Sequence, residues 1–106
     1  MKNIICIIFI VGITFLVACR KDSTTTSTSN LYTPASADVT ANATLAELQQ
    51  GRELYINNCG SCHNLYSPDS YTPTAWKTNI AKMSPKTSMN AAKVSLVTKY
   101  VCRGKQ

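Results

Sequence analysis

Gly51-Arg52-Glu53-Leu54-Tyr55-Ile56-Asn57-Asn58-Cys59-Gly60-Ser61-Cys62-His63 is the stretch on which the reading of this chain turns. Its first part belongs to a helix. Just upstream, Thr44-Leu45-Ala46-Glu47 has the form of a capping box, in which a hydroxyl and a carboxylate satisfy free amide donors at a helix start. The helix is expected from about Leu45 to Asn58, with Leu45, Leu48, Tyr55 and Ile56 near one face and Glu47, Gln50 and Glu53 elsewhere. Gly51 interrupts the pattern at a cost of about 1 kcal/mol relative to alanine, which marks a close approach by another backbone or ring.

The element expected to cross there is the last helix, roughly Asn90 to Arg103. Val94, Val97 and Val101 fall at helical spacing, and Leu96 and Tyr100 widen the stripe. Lys93, Lys99, Arg103 and Lys105 make its other side basic and put positive charge near its carboxyl end. Tyr100 is the residue expected over Gly51. Between these helices, Thr72 is placed to cap a further one, Pro73 takes its favoured first position and Pro85 ends it. Trp76, Ile80 and Met83 lie at i, i+4 and i+7 on that segment, a stripe that suits either a plain core face or a cavity wall. No alternating strand pattern occurs, so the expected fold class is all-α.

The amino terminus reads differently from the rest. Lys2 precedes an apolar run from Ile4 to Val17, closed by Ala18 and Cys19, which is the order of a secretory signal peptide. The run is shorter than the roughly 20 residues of a spanning helix, and Arg20, Lys21 and Asp22 follow at once. Leu16-Val17-Ala18-Cys19 resembles the lipobox of bacterial lipoproteins, which implies lipidation of Cys19 after cleavage. Residues 1–18 are thus expected to be a signal peptide. Their removal leaves 88 of the 106 residues and lowers the formal charge from +6 to +5, since Lys2 goes and all five acids stay. Residues 19–43 are expected to be the lipidated cysteine and a Ser/Thr-rich flexible tether, and residues 44–106 one small domain. As a coil, residues 20–43 would span roughly 25–30 Å. So short a domain can bury only a modest core, and a cofactor, a metal or disulfides commonly supply the rest.

Cys59-Gly60-Ser61-Cys62-His63 has the C-x-x-C-H form of a haem attachment site. Two thiols at this spacing can add to both vinyl groups of one haem, and His63 is then placed to ligate the iron. The competing interpretations are a redox-active C-x-x-C disulfide, which would call for a βαβ context, a zinc site with Cys102 as the fourth ligand, and chance. Cys102 reads otherwise as a small packing residue, and Cys6 belongs to the leader.

Residues 44–103 resemble the class I cytochrome c family, through Gly51-Arg52-Glu53-Leu54-Tyr55 running into Cys59-Gly60-Ser61-Cys62-His63 and through Tyr100 on the terminal helix. The resemblance implies a small helical domain around one covalent haem c. It further implies thioether bonds from Cys59 and Cys62, proximal iron ligation by His63 and a distal methionine before the last helix. Met83, twenty residues after His63 and just before Pro85, is the expected distal ligand, with Met89 as the alternative. A carbonyl near Pro68 or Pro73 is the candidate to orient His63 through its other ring nitrogen. Trp76 is either a donor to a haem propionate or an ordinary buried tryptophan. The stretch between His63 and the terminal helix is shorter than is usual in the family.

The expected function is that of a periplasm-facing, membrane-anchored carrier of single electrons and not an enzyme. With both axial positions filled, substrates have nowhere to bind, and methionine opposite histidine raises the potential. The positive balance suits redox partner proteins with an acidic docking surface, and no nucleic-acid partner is expected. Two other expectations compete: a five-coordinate haem protein that senses a gas or acts on peroxide, and a structural lipoprotein that never takes haem.

Overall fold

Each helix starts at a side chain able to receive a free backbone amide. In the computed structural model, which describes residues 31–105, Thr44 Oγ1 accepts from Glu47 N at 3.3 Å while the Glu47 carboxylate accepts from Thr44 N at 2.9 Å. That box opens α1 (Leu45–Cys59). Thr72 accepts from Ala75 N and, with Pro73 next to it, opens α2 (Pro73–Met83). Asn90 accepts from Lys93 N at 3.0 Å and opens α3 (Ala91–Val101), so it caps the last helix rather than forming part of it. Among the described residues there is no strand, only an isolated bridge between Thr40 and Ala43, and the fold is all-α. The expected signal segment 1–18 and Cys19 lie outside the described residues.

α3 stops two residues earlier than its periodicity suggests, because Arg103 and Gly104 turn left-handed with φ of 50° and 66°. Gly104 N donates to Lys99 O at 2.8 Å and Arg103 N to Tyr100 O at 2.9 Å. This is a Schellman closure, which satisfies carbonyls the helix end would leave free. Gly104 is also the place where residues 40–43 come down on the helix end, with Thr40 Oγ1 donating to Gly104 O at 3.0 Å.

α1 and α3 cross at Gly51 as expected. A Cβ there would run into the Leu96 carbonyl and the Tyr100 Cβ, so only glycine lets the two backbones come this close. Leu48, Val97, Tyr100 and Val101 are fully buried around the crossing, and Tyr55, Trp76 and Ile80 extend the core towards α2. Each such side chain contributes about 1.5–3 kcal/mol by leaving water.

Of the tether expected over residues 19–43, only residues 31–43 are described. Residues 31–43 pack on the helices instead, and Leu31, Pro34 and Ala43 are buried. Tyr32 stacks on Tyr100 with ring centroids 5.2 Å apart, and its carbonyl accepts from Tyr100 Oη at 2.9 Å and Arg52 Nε at 3.3 Å. Arg103 also lies over the Tyr32 ring, 4.3 Å from its centroid, and pairs with Asp69. Leu31 and Tyr32 supply the apolar anchor that a purely polar tether would lack.

Candidate functional site

The last turn of α1 delivers the C-x-x-C-H motif. Gly60 N donates to Ile56 O at 3.2 Å, Ser61 Oγ to Asn58 O at 3.2 Å and Cys62 N to Cys59 O at 3.5 Å, so the chain curls tightly as it leaves the helix. Cys59 is half-buried, while Cys62 and His63 are exposed. Burial first, and the neighbouring Cys62 second, push the Cys59 thiol above its ordinary pKa. A redox-active C-x-x-C pair calls for the opposite shift.

Cys59, Cys62, His63 and Met83 all line one cavity of about 410 Å³. Its floor is Tyr55 from α1 with Trp76 and Ile80 from α2, and Tyr66 and Tyr71 of the intervening loop stand along its side. The volume falls in the roughly 300–1,000 Å³ range of small-molecule and cofactor pockets. Among the described residues, the large apolar side chains left exposed are Tyr66 (52%), Tyr71 (38%), Met83 (39%) and Val39 (48%), and the first three border this cavity. The stripe Trp76, Ile80, Met83 is therefore a cavity wall and not only a core face.

The two methionines are separated by their surroundings. Met83 is the last residue of α2 and lines the cavity. Met89 is half-buried against the core cluster and does not line it. The other polar contacts of the site decide between the two expectations for Trp76 and leave His63 without either proline carbonyl. Trp76 Nε1 donates to the Pro68 carbonyl at 2.8 Å in a buried bond, so its single donor is engaged and it is an ordinary buried tryptophan. The Pro73 carbonyl faces Cys102 Sγ at 3.7 Å, and His63 Nδ1 lies 2.7 Å from the carbonyl of its own neighbour Asn64. Neither proline carbonyl meets the imidazole.

Set against models of protein families, curated proteins and solved structures, the chain matches none. Among the described residues no three His, Cys, Asp or Glu gather as a metal-holding group. Cys102, the fourth ligand a zinc site would need, is instead buried in the core as a packing residue.

Sequence reasoning overlooked several cavity residues. Tyr55 was legible only as a helix-face residue, although its place four before Cys59 puts both on one side of α1. Asn79 lies between Trp76 and Met83 on the same face of α2 and gave the same kind of signal. Tyr66 and Tyr71 carried a fainter one, two aromatic rings in the loop directly after the motif. Their rings sit 5.5 Å apart, edge-on.

Proposed function

We propose that the chain is a lipid-anchored, periplasm-facing monohaem cytochrome c that carries single electrons. The observation that carries this reading is the convergence of Cys59, Cys62, His63 and Met83 on one aromatic-lined cavity whose rim leaves Tyr66, Tyr71 and Met83 uncovered. A haem fits that donor set: two thiols for its vinyl groups, an imidazole and a thioether for its iron, and apolar walls for its ring. Exposed apolar surface concentrated at one place also calls for a covering group. When bound, the haem supplies an iron that changes oxidation state by one electron.

The protein's own part is to hold and shield that group. Cys59 and Cys62 fix it covalently, His63 and Met83 set its potential, and Trp76 and Ile80 keep water from its inner face. Charge supports the choice of partner. Every acid lies at or before Asp69, while seven of the eleven Lys and Arg follow it. Lys86 at the cavity and Lys82 beside Met83 are exposed and form no ion pair among the described residues. An acidic redox partner would be steered towards that side. Lipid on Cys19 would hold the domain at a membrane, with residues 20–30 as the spacer, about 40 Å at full extension.

Covalent haem staining after denaturing electrophoresis tests the reading, since only thioether-linked haem survives that treatment. Stain is expected on the full chain produced in a host that matures c-type cytochromes. Its absence there would overturn the proposal. A reduced spectrum that changes under carbon monoxide would instead assign an open distal position and a gas- or peroxide-related role. Cys19→Ser should move the stained protein from the membrane fraction to the soluble one.

A further inference from the structure

His63 lies between a tight turn and a loop that carries few internal bonds. Upstream, Cys62 N closes on Cys59 O at 3.5 Å; downstream, regular hydrogen bonding resumes only with Ser70 N to Ser67 O at 2.9 Å. Between those points one side chain reaches the backbone from a helix. Tyr55 Oη donates to the Tyr66 carbonyl at 2.9 Å and accepts from Tyr66 N at 3.1 Å. The phenol thus grips both polar groups of one residue, three positions after His63. Its ring is fixed in turn, 2% exposed, edge-on to Trp76 at 6.0 Å and tilted against Tyr100 at 5.8 Å. The hydroxyl is protonated and able to donate, and burial raises its pKa further above the ordinary phenol value. The Tyr66 ring lies 6.4 Å from the His63 ring, so the clipped residue is also a neighbour of the imidazole.

We infer that Tyr55 is a positioning residue for His63: its hydroxyl clips the Tyr66 backbone to α1 and so fixes the span that presents the imidazole to the cavity. The role rests on the haem reading above. With Cys59 and Cys62 held at one end and Tyr66 at the other, three residues remain to place the ring, and few orientations satisfy both ends. A metal-ligating imidazole works through such outer contacts, which set its orientation and basicity. Tyr55 does this through the backbone, not by touching the ring.

Tyr55→Phe and Tyr100→Phe form a matched pair in the full chain, because each keeps the ring and removes one hydroxyl that donates to a backbone carbonyl, at Tyr66 and at Tyr32 respectively. In the wild-type chain before haem loading, the Tyr66 amide should exchange with solvent more slowly than the amides of Asn64 and Leu65. Tyr55→Phe should speed Tyr66 exchange about 2- to 10-fold, the worth of one ordinary hydrogen bond, and Tyr100→Phe should leave it unchanged. In the haem-loaded chain, Tyr55→Phe alone should shift the His63 proton resonances and lower the reduction potential, as water gains access to the loosened side. A loaded chain in which both variants move the His63 resonances and the potential equally, or an unloaded wild-type chain in which the Tyr66 amide is unprotected, overturns this role alone. A wild-type chain that takes up no haem overturns the proposed function and this role together.

Discussion

Met83 and Met89 are six positions apart, yet one lines the cavity and the other packs into the core. If the proposed haem is bound, Met83→Ala should therefore abolish the methionine-to-iron charge-transfer band of the oxidised protein and open the iron to carbon monoxide. Met89→Ala should keep the band and cost stability, about 1–3 kcal/mol for a half-buried methionine, in urea unfolding. A band that survives the first change and is lost in the second would transfer the ligand role to Met89. Glu47 carries a different kind of test. Its salt bridge and hydrogen bond to Lys99 at 2.7 Å, and then its bonds to Thr44, lower its pKa from an ordinary 4.5 to about 2. Because the unfolded chain takes up that proton more readily, the stabilisation is whole above about pH 4.5 and disappears as the pH falls towards 2. Melting of wild type and Glu47→Gln should differ at neutral pH and converge across that window. A gap independent of pH would remove the carboxylate from the account.

The crossing of α1 and α3 rests on one missing methyl group. Gly51→Ala should gain about 1 kcal/mol of helix propensity, but the new Cβ meets the Leu96 carbonyl, a backbone atom that has no rotamer by which to move away. Overpacking of this kind costs more than propensity returns, and the expected net loss is about 1–3 kcal/mol by denaturant unfolding. A variant as stable as wild type would place the crossing elsewhere. The starts of α1 and α2 and the stop at Pro85 were legible because capping hydroxyls and proline act within a few residues of themselves. The end of α3 was not. Its valine stripe runs on towards Arg103, and the left-handed turn that closes it on Lys99 and Tyr100 packs against Thr40 and Ala43, more than sixty residues away in the chain.

At the scale of the whole molecule, the segment before α1 decides where the domain begins. Leu31 is 6% exposed and belongs to the core cluster. Leu31→Ala should cost about 2–4 kcal/mol in urea unfolding, whereas a leucine in a solvated tether would cost nothing measurable. The result thus separates a packed strap from a free linker. The sequence alone determined the three helices, the crossing at Gly51, the motif Cys59-Gly60-Ser61-Cys62-His63 and the apolar stripe Trp76, Ile80, Met83, whose role as a cavity wall the structure decided. All of these are written in periodicity, caps and short spacings, and each depends on neighbours within a turn or two. Only the tertiary structure decided that residues 31–43 fold back, that Trp76 spends its N–H on Pro68, that Met89 turns into the core and that Tyr55 holds Tyr66. Those outcomes depend on which distant partner lies in reach of a given side chain. Local pattern states that a tyrosine or an indole will seek a polar partner on burial, but the packed helices alone bring that partner within bonding distance.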